Sequence, residues 1–155
     1  MSWQDFADAA QQVVSRPMDW VRNLQSIPHR ASDIADAAYP DSARDSSRRN
    51  AYRHSLGTGM MTQHLGGNAL SAGLAKMAGW GWEAPTLLNP NSTPAQLTDT
   101  RHDLNANAIG SQVAQMTRDQ PSLEAALRSF ADQAVVRTPP GAFERGSGYL
   151  TRSVR

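Results

Sequence analysis

Apolar positions recur every three to four residues along most of the chain, which predicts helices and no strands. Trp3, Phe6, Ala10 and Val13 or Val14 stripe a first helix over 3–15, capped by Ser2 with Asp5 three residues on. Pro17 and Pro28 bracket a short second helix carrying Trp20, Val21 and Leu24. A third, over 32–38, ends before Pro40. The fourth starts between Asp41 and Asp45 and runs through Met60 and Met61 to Leu65, where Gly66-Gly67 stops it. Ala-rich residues 68–78 predict a fifth helix ending at Gly79-Trp80-Gly81-Trp82-Glu83. Residues 84–94 then read as a proline-rich loop. Thr93 and Pro94 suit an N-cap and first helical position for a sixth helix over 95–117. Pro121 opens a seventh that ends near Val136.

The predicted fold is therefore all-α: one compact domain over 1–136, of six or seven helices, with two long helices at its centre. Residues 137–155 read as an extended Pro-, Gly-, Ser- and Arg-rich tail. Such a tail suits contacts with protein partners, in an oligomer or a virion component.

Composition narrows the function classes. With 155 residues and 39% apolar positions the chain can bury one modest core. A net charge of +1 and the lack of a basic run argue against a nucleic-acid partner. Lys76 is the only lysine beside many arginines, which coding bias explains best. No cysteine is present, so thiolate metal sites and disulfides are excluded. Met-Ser-Trp-Gln-Asp does not start a signal peptide, and no apolar run is long enough to span a bilayer. Cytoplasmic, virion-associated and secretion-delivered settings all remain open.

Two polar clusters interrupt the helical pattern. One is Arg49-Asn50-Ala51-Tyr52-Arg53-His54; the other is His102-Asp103-Leu104-Asn105-Ala106-Asn107, followed by Gly110. Residues four apart share a helix face, so Asn50 pairs with His54 and Asp103 with Asn107. A face built only for packing would be apolar there. Gly57 and Gly59 lie in the same helix and cost about 1 kcal/mol each relative to Ala, a cost offset where a backbone or ligand comes close.

His54 is the candidate general base or metal ligand. Asp103 and Glu83 are the candidate carboxylates that orient it, act as acid or hold a metal. Arg49 and Arg53 are candidate anion-binding groups, and Asn50 and Asn107 candidate positioning groups. The two Trp-Gly steps before Glu83 would desolvate its carboxylate. Each residue also has a purely structural reading: a satisfied core histidine, an Arg–Asp pair with an asparagine cap, an exposed helix-end glutamate. His102 points roughly 100° away from Asp103 on a helix and is expected outside the site. His64 is a secondary candidate, and His29 is expected in a surface loop. No H-E-x-x-H, Walker loop, G-x-S-x-G or dinucleotide fingerprint occurs. A divalent metal is one cofactor option, since His54, Glu83 and Asp103 would form a mixed N/O set suited to Zn²⁺, Mn²⁺ or Fe²⁺.

At these residues the chain resembles an uncharacterised helical domain family of bacteria and phages, often found in secreted or toxin-like proteins. Its pattern is roughly R-N-A-x-R-H, then a helix ending in an acidic residue, then D-L-x-N-N-x-x-G. Here the parts are Arg49 to His54, Glu83, and Asp103 to Gly110. Ala106 replaces the first Asn of the pair, and Trp82 stands where the family usually has His. Both departures would weaken a metal or catalytic site. The resemblance implies a helical fold with a shared polar site and carries no reaction with it.

Two functions follow as expectations. One is a small helical hydrolase of phage or secreted-effector type, acting on a cell-envelope or phosphate-containing substrate, with the 84–94 loop over its site. The other is a non-enzymatic structural or adaptor component of a phage particle or delivery apparatus. There the polar cluster would be a buried network and the tail would meet partners.

Overall fold

The computed structural model describes residues 17–41 and 44–134. Among them are five helices and no strand: α1 (Pro17–Ala38), α2 (Ser46–His64), α3 (Ala69–Leu88), α4 (Pro94–Met116) and α5 (Gln120–Ala134). The helix expected over 3–15 and the tail expected over 137–155 lie outside the described residues.

Two sequence-based boundaries need correction, both at proline. The segments expected as separate helices over 17–28 and 32–38 form one helix, with Pro28 inside it. Proline removes one backbone hydrogen bond. Here Ile27, Ala31 and Ala35 bury a single stripe across that point, and this packing holds the helix through it. The second case is α3, which runs on through Gly79, Gly81 and Pro85 to Leu88. The expected 84–94 loop therefore shrinks to 89–93, too short to form the cover over the site that was expected of it.

The other end signals act as read. Gly66 and Gly67 take positive φ (111° and 68°), a conformation that favours glycine, and turn the chain from α2 into α3. Thr93 caps α4 in a complete capping box with Gln96, and Pro94 opens the helix.

Consecutive helices run antiparallel. Asp36 of α1 meets Arg49 of α2, and the α2–α4 pairs Asn50–Asp103, Thr58–Asn107 and Gln63–Thr117 ascend together. Helices α2 and α4 thus run side by side in the same direction as the two central elements. Helix α2 is buried nearly all round, which explains why its sequence lacks a clean apolar stripe.

The apolar core lies where α1 and α5 meet α2, through Ile27, Ala31, Leu56, Leu123 and Leu127. Each fully buried leucine stabilises the fold by about 1.5–3 kcal/mol. Tyr39, just after α1, stacks edge-on against Tyr52 at 5.8 Å and donates to Asp132 of α5 at 2.8 Å. The α2–α4 contact is different in kind, because α4 buries mainly small and polar residues: Thr100, Asp103, Ala106, Asn107, Gly110, Ser111 and Ala114. A Cβ at Gly110 would lie 2.7 Å from the Ser55 carbonyl carbon, so glycine there lets the two backbones touch. That crossing draws the polar residues of α2 and α4 together.

Candidate functional site

His54 lies one residue before the Ser55–Gly110 crossing, and Asp103 and Asn107 occupy the turns of α4 before it. Glu83 reaches the same place from α3. One side-chain donor atom from each of His54, Glu83 and Asp103 lies within 4.8 Å of the other two. The three candidate catalytic residues, drawn from three helices, are thus brought together. Because α3 continues past Trp80-Gly81-Trp82, Glu83 extends from an intact helix and not from a loop.

Asp103 accepts from Asn50 Nδ2 at 2.7 Å through Oδ1, and its Oδ2 faces His54 Nε2 at 3.5 Å. Asn50 in turn accepts from Arg53 Nη2 at 2.6 Å. Arg53 Nη2 also approaches His54 Nε2 at 3.3 Å. Asn107 also hydrogen-bonds the His54 side chain and accepts from Thr58 Oγ1 at 2.8 Å. Asn50 therefore positions Asp103, and Asn107 positions His54. Among the described residues no hydrogen bond holds the Glu83 carboxylate.

Burial sets the charge state. The side chains of His54 and Asp103 keep only 17% and 12% of their exposure. Desolvation, reinforced by the Arg53 guanidinium, lowers the His54 pKa to about 4, against a small opposing effect of Asn107. Desolvation, with repulsion from Asp99 and Glu83, raises Asp103 to about 7, against the Asn50 hydrogen bond and Arg53. At neutral pH the His54–Asp103 contact thus joins a neutral imidazole to a carboxyl that is half protonated. It is not an ion pair. A neutral imidazole with a free lone pair can accept a proton or bind a metal, and a carboxyl near 7 can exchange one.

A pocket of about 400 Å³ opens beside the cluster, between α1, α2, α3 and α4. Arg53, His54 and Asn107 line its polar side, and Trp82, Met61 and Pro28 its apolar side. Trp82 is largely exposed at its rim.

Not every candidate joins the site. Arg49 reaches away to Asp36 of α1 at 3.4 Å, so it is tied to a neighbouring helix, and among the described residues Arg53 supplies the cation at His54. His29, expected in a loop, sits on helix α1 and lines the pocket. His64 ends α2, nearly three turns beyond His54.

Sequence reasoning missed Thr58 and Gly79. Thr58 continues the face of Asn50 and His54 at the same four-residue step, a signal that was available. Gly79 lies one turn before Glu83, and a Cβ there would come within 2.6 Å of Asn107 Nδ2. Glycine at 79 leaves room for the Asn107 amide. Of the two departures from the resembled pattern, Ala106 is buried at the helix contact and Trp82 borders the pocket.

The family described as a domain of unknown function (DUF6973) matches residues 10–136. The match spans most of the chain, and the chain belongs to that family. No curated protein and no solved structure matches it.

Proposed function

We propose that this member of the DUF6973 family is a small helical hydrolase whose reaction takes place at His54, Glu83 and Asp103. The observation that carries the reading is the convergence of these side chains, from three helices, beside a pocket of about 400 Å³. The substrate carries a phosphate or another anionic group, which the exposed Arg53 guanidinium meets at the polar wall. Trp82 offers an apolar surface for the rest of it. Water attacks the scissile bond, activated by His54 as general base or metal ligand, while Glu83 and Asp103 orient it, act as acid or hold a metal. Asn50 and Asn107 hold Asp103 and His54 in place. A phage or secreted-effector setting, with a cell-envelope substrate, rests on the resemblance at Arg49 to His54 and Asp103 to Gly110 and is part of the proposal.

The test is turnover of nitrophenyl phosphomonoesters, phosphodiesters and carboxylic esters, and of purified peptidoglycan, by wild type and His54→Ala. The reading expects one class to be hydrolysed, with at least a hundredfold loss in a folded variant. Equal turnover in both proteins, or none in any class, counts against it.

A second reading is favoured by the hydrogen bonds Asn50–Asp103 and Thr58–Asn107, which join α2 to α4 at two levels. A network of this kind fixes helix register without catalysis. The chain would then be a structural or adaptor component whose residues beyond 136 contact partners. In that case His54→Ala costs about 1–3 kcal/mol of stability through unsatisfied partners, with no activity to lose.

A further inference from the structure

We propose that His54 Nε2 and one oxygen each from Glu83 and Asp103 bind a single divalent transition-metal ion. This deepens the hydrolase reading and rests on the same cluster being its active site.

The spacing fits first. Three ligands about 2.1 Å from a shared ion stand roughly 3–4 Å apart. The donor atoms here lie within 4.8 Å of one another, so small side-chain rotations close the set. His54 Nε2 and Asp103 Oδ2, at 3.5 Å, already have the separation of two ligands on one ion. That distance is long for a hydrogen bond, which is roughly 2.7–3.2 Å.

The surroundings fit next. Metal ligands are normally oriented by partners behind them. Asp103 commits Oδ1 to Asn50 at 2.7 Å and leaves Oδ2 facing the cluster. The His54 ring is hydrogen-bonded by Asn107, and Asn107 is held by Thr58 at 2.8 Å. Glu83 is the one member with no hydrogen bond among the described residues, as suits a ligand whose partner is an ion. Arg53 approaches the Nε2 lone pair at 3.3 Å; its side chain is exposed and can swing away when an ion takes that lone pair.

Donor chemistry sets the class. One imidazole nitrogen and two carboxylate oxygens, in a chain without cysteine, suit Zn²⁺, Mn²⁺ or Fe²⁺. Three protein ligands leave coordination positions open toward the pocket that His54 lines. A water bound there would be the nucleophile of the proposed hydrolysis.

The test is calorimetric titration of EDTA-stripped, dialysed protein with ZnCl₂ and, separately, MnCl₂. Wild type, Glu83→Gln and Asp103→Asn are compared, with circular dichroism as the check on folding. Glu83→Gln breaks no hydrogen bond and Asp103→Asn is isosteric, so both should fold. The expected result is one site per chain for at least one ion, weakened a hundredfold or more in each variant. Absence of saturable binding to wild type overturns the metal site, as does equal affinity in the variants. Stoichiometric binding without turnover of any substrate class supports the metal site and refutes the hydrolase reading. Turnover that survives EDTA with no metal bound refutes the metal site and leaves the hydrolase reading standing.

Discussion

Replacing Asp103 with Asn should change how stability depends on pH, and the sign can be worked through. Native Asp103 titrates at about 7, against 3.8 for an ordinary aspartate in water. Between these values the native carboxyl holds a proton that the unfolded one has lost, so Asp103 makes stability fall as pH rises. The window spans about three units at roughly 1.4 kcal/mol each, a ceiling of about 4 kcal/mol. His54 acts in the opposite sense. Its pKa drops from 6.5 to about 4, so from pH 4 to 6.5 the unfolded imidazole holds a proton that the native one lacks. That contribution raises stability with pH by up to about 3 kcal/mol. Over their shared window each state carries one proton on the pair, and in wild type the two slopes cancel. Asp103→Asn removes one slope and exposes the other. Urea unfolding of both proteins with EDTA, at pH 4.5, 5.5, 6.5 and 7.5, reads the difference directly. The variant should gain on wild type by several kcal/mol across this range, with an unchanged denaturant slope. Parallel curves would show that Asp103 ionises as an ordinary surface carboxylate, and would refute the argument from burial and carboxylate repulsion.

Two further predictions concern the close contacts that build the site. Gly110→Ala would drive a methyl group into the Ser55 backbone and push α2 from α4. Its cost should reach about 3 kcal/mol or more, read by chemical denaturation, after allowing for the roughly 1 kcal/mol that alanine returns in helix propensity. Gly79→Ala would displace the Asn107 amide, whereas a Cβ at Gly81 meets nothing within 4 Å. Gly81→Ala should therefore stabilise α3 by up to about 1 kcal/mol, and Gly79→Ala should lower both stability and metal affinity; thermal melting and calorimetry compare the pair.

The central helices and the site were legible in the sequence for one reason. Asn50, His54, Asp103 and Asn107 are polar residues at helical spacing on faces that would otherwise be apolar. That pattern needs no knowledge of the partner helix. The partner of a long side chain is another matter. Arg49 and Arg53 share a helical face, yet Arg49 goes to Asp36 of α1 and Arg53 to Asn50, a choice set by which helix packs alongside. Helix ends at proline were misread because local rules price only the lost hydrogen bond. Packing of Ile27 and Ala31 on either side of Pro28 is a tertiary gain that no local rule contains. The same applies to Gly79. As punctuation it looks like a helix stop, but in the fold it makes room for the Asn107 amide.

On the proposed reading His54, Glu83 and Asp103 form a functional centre and not a network kept for stability. Glu83 tests that claim directly, because it adds negative charge beside Asp103 and has no hydrogen bond among the described residues. The decisive measurement is the melting temperature of Glu83→Gln beside wild type, in EDTA at pH 7.5. A functional centre keeps such a charge at a cost to stability, so the variant should melt at the same temperature as wild type or higher. A fall of several degrees, at roughly 2–4 °C per kcal/mol for a chain of this size, would mean that Glu83 holds the fold together and would contradict the claim.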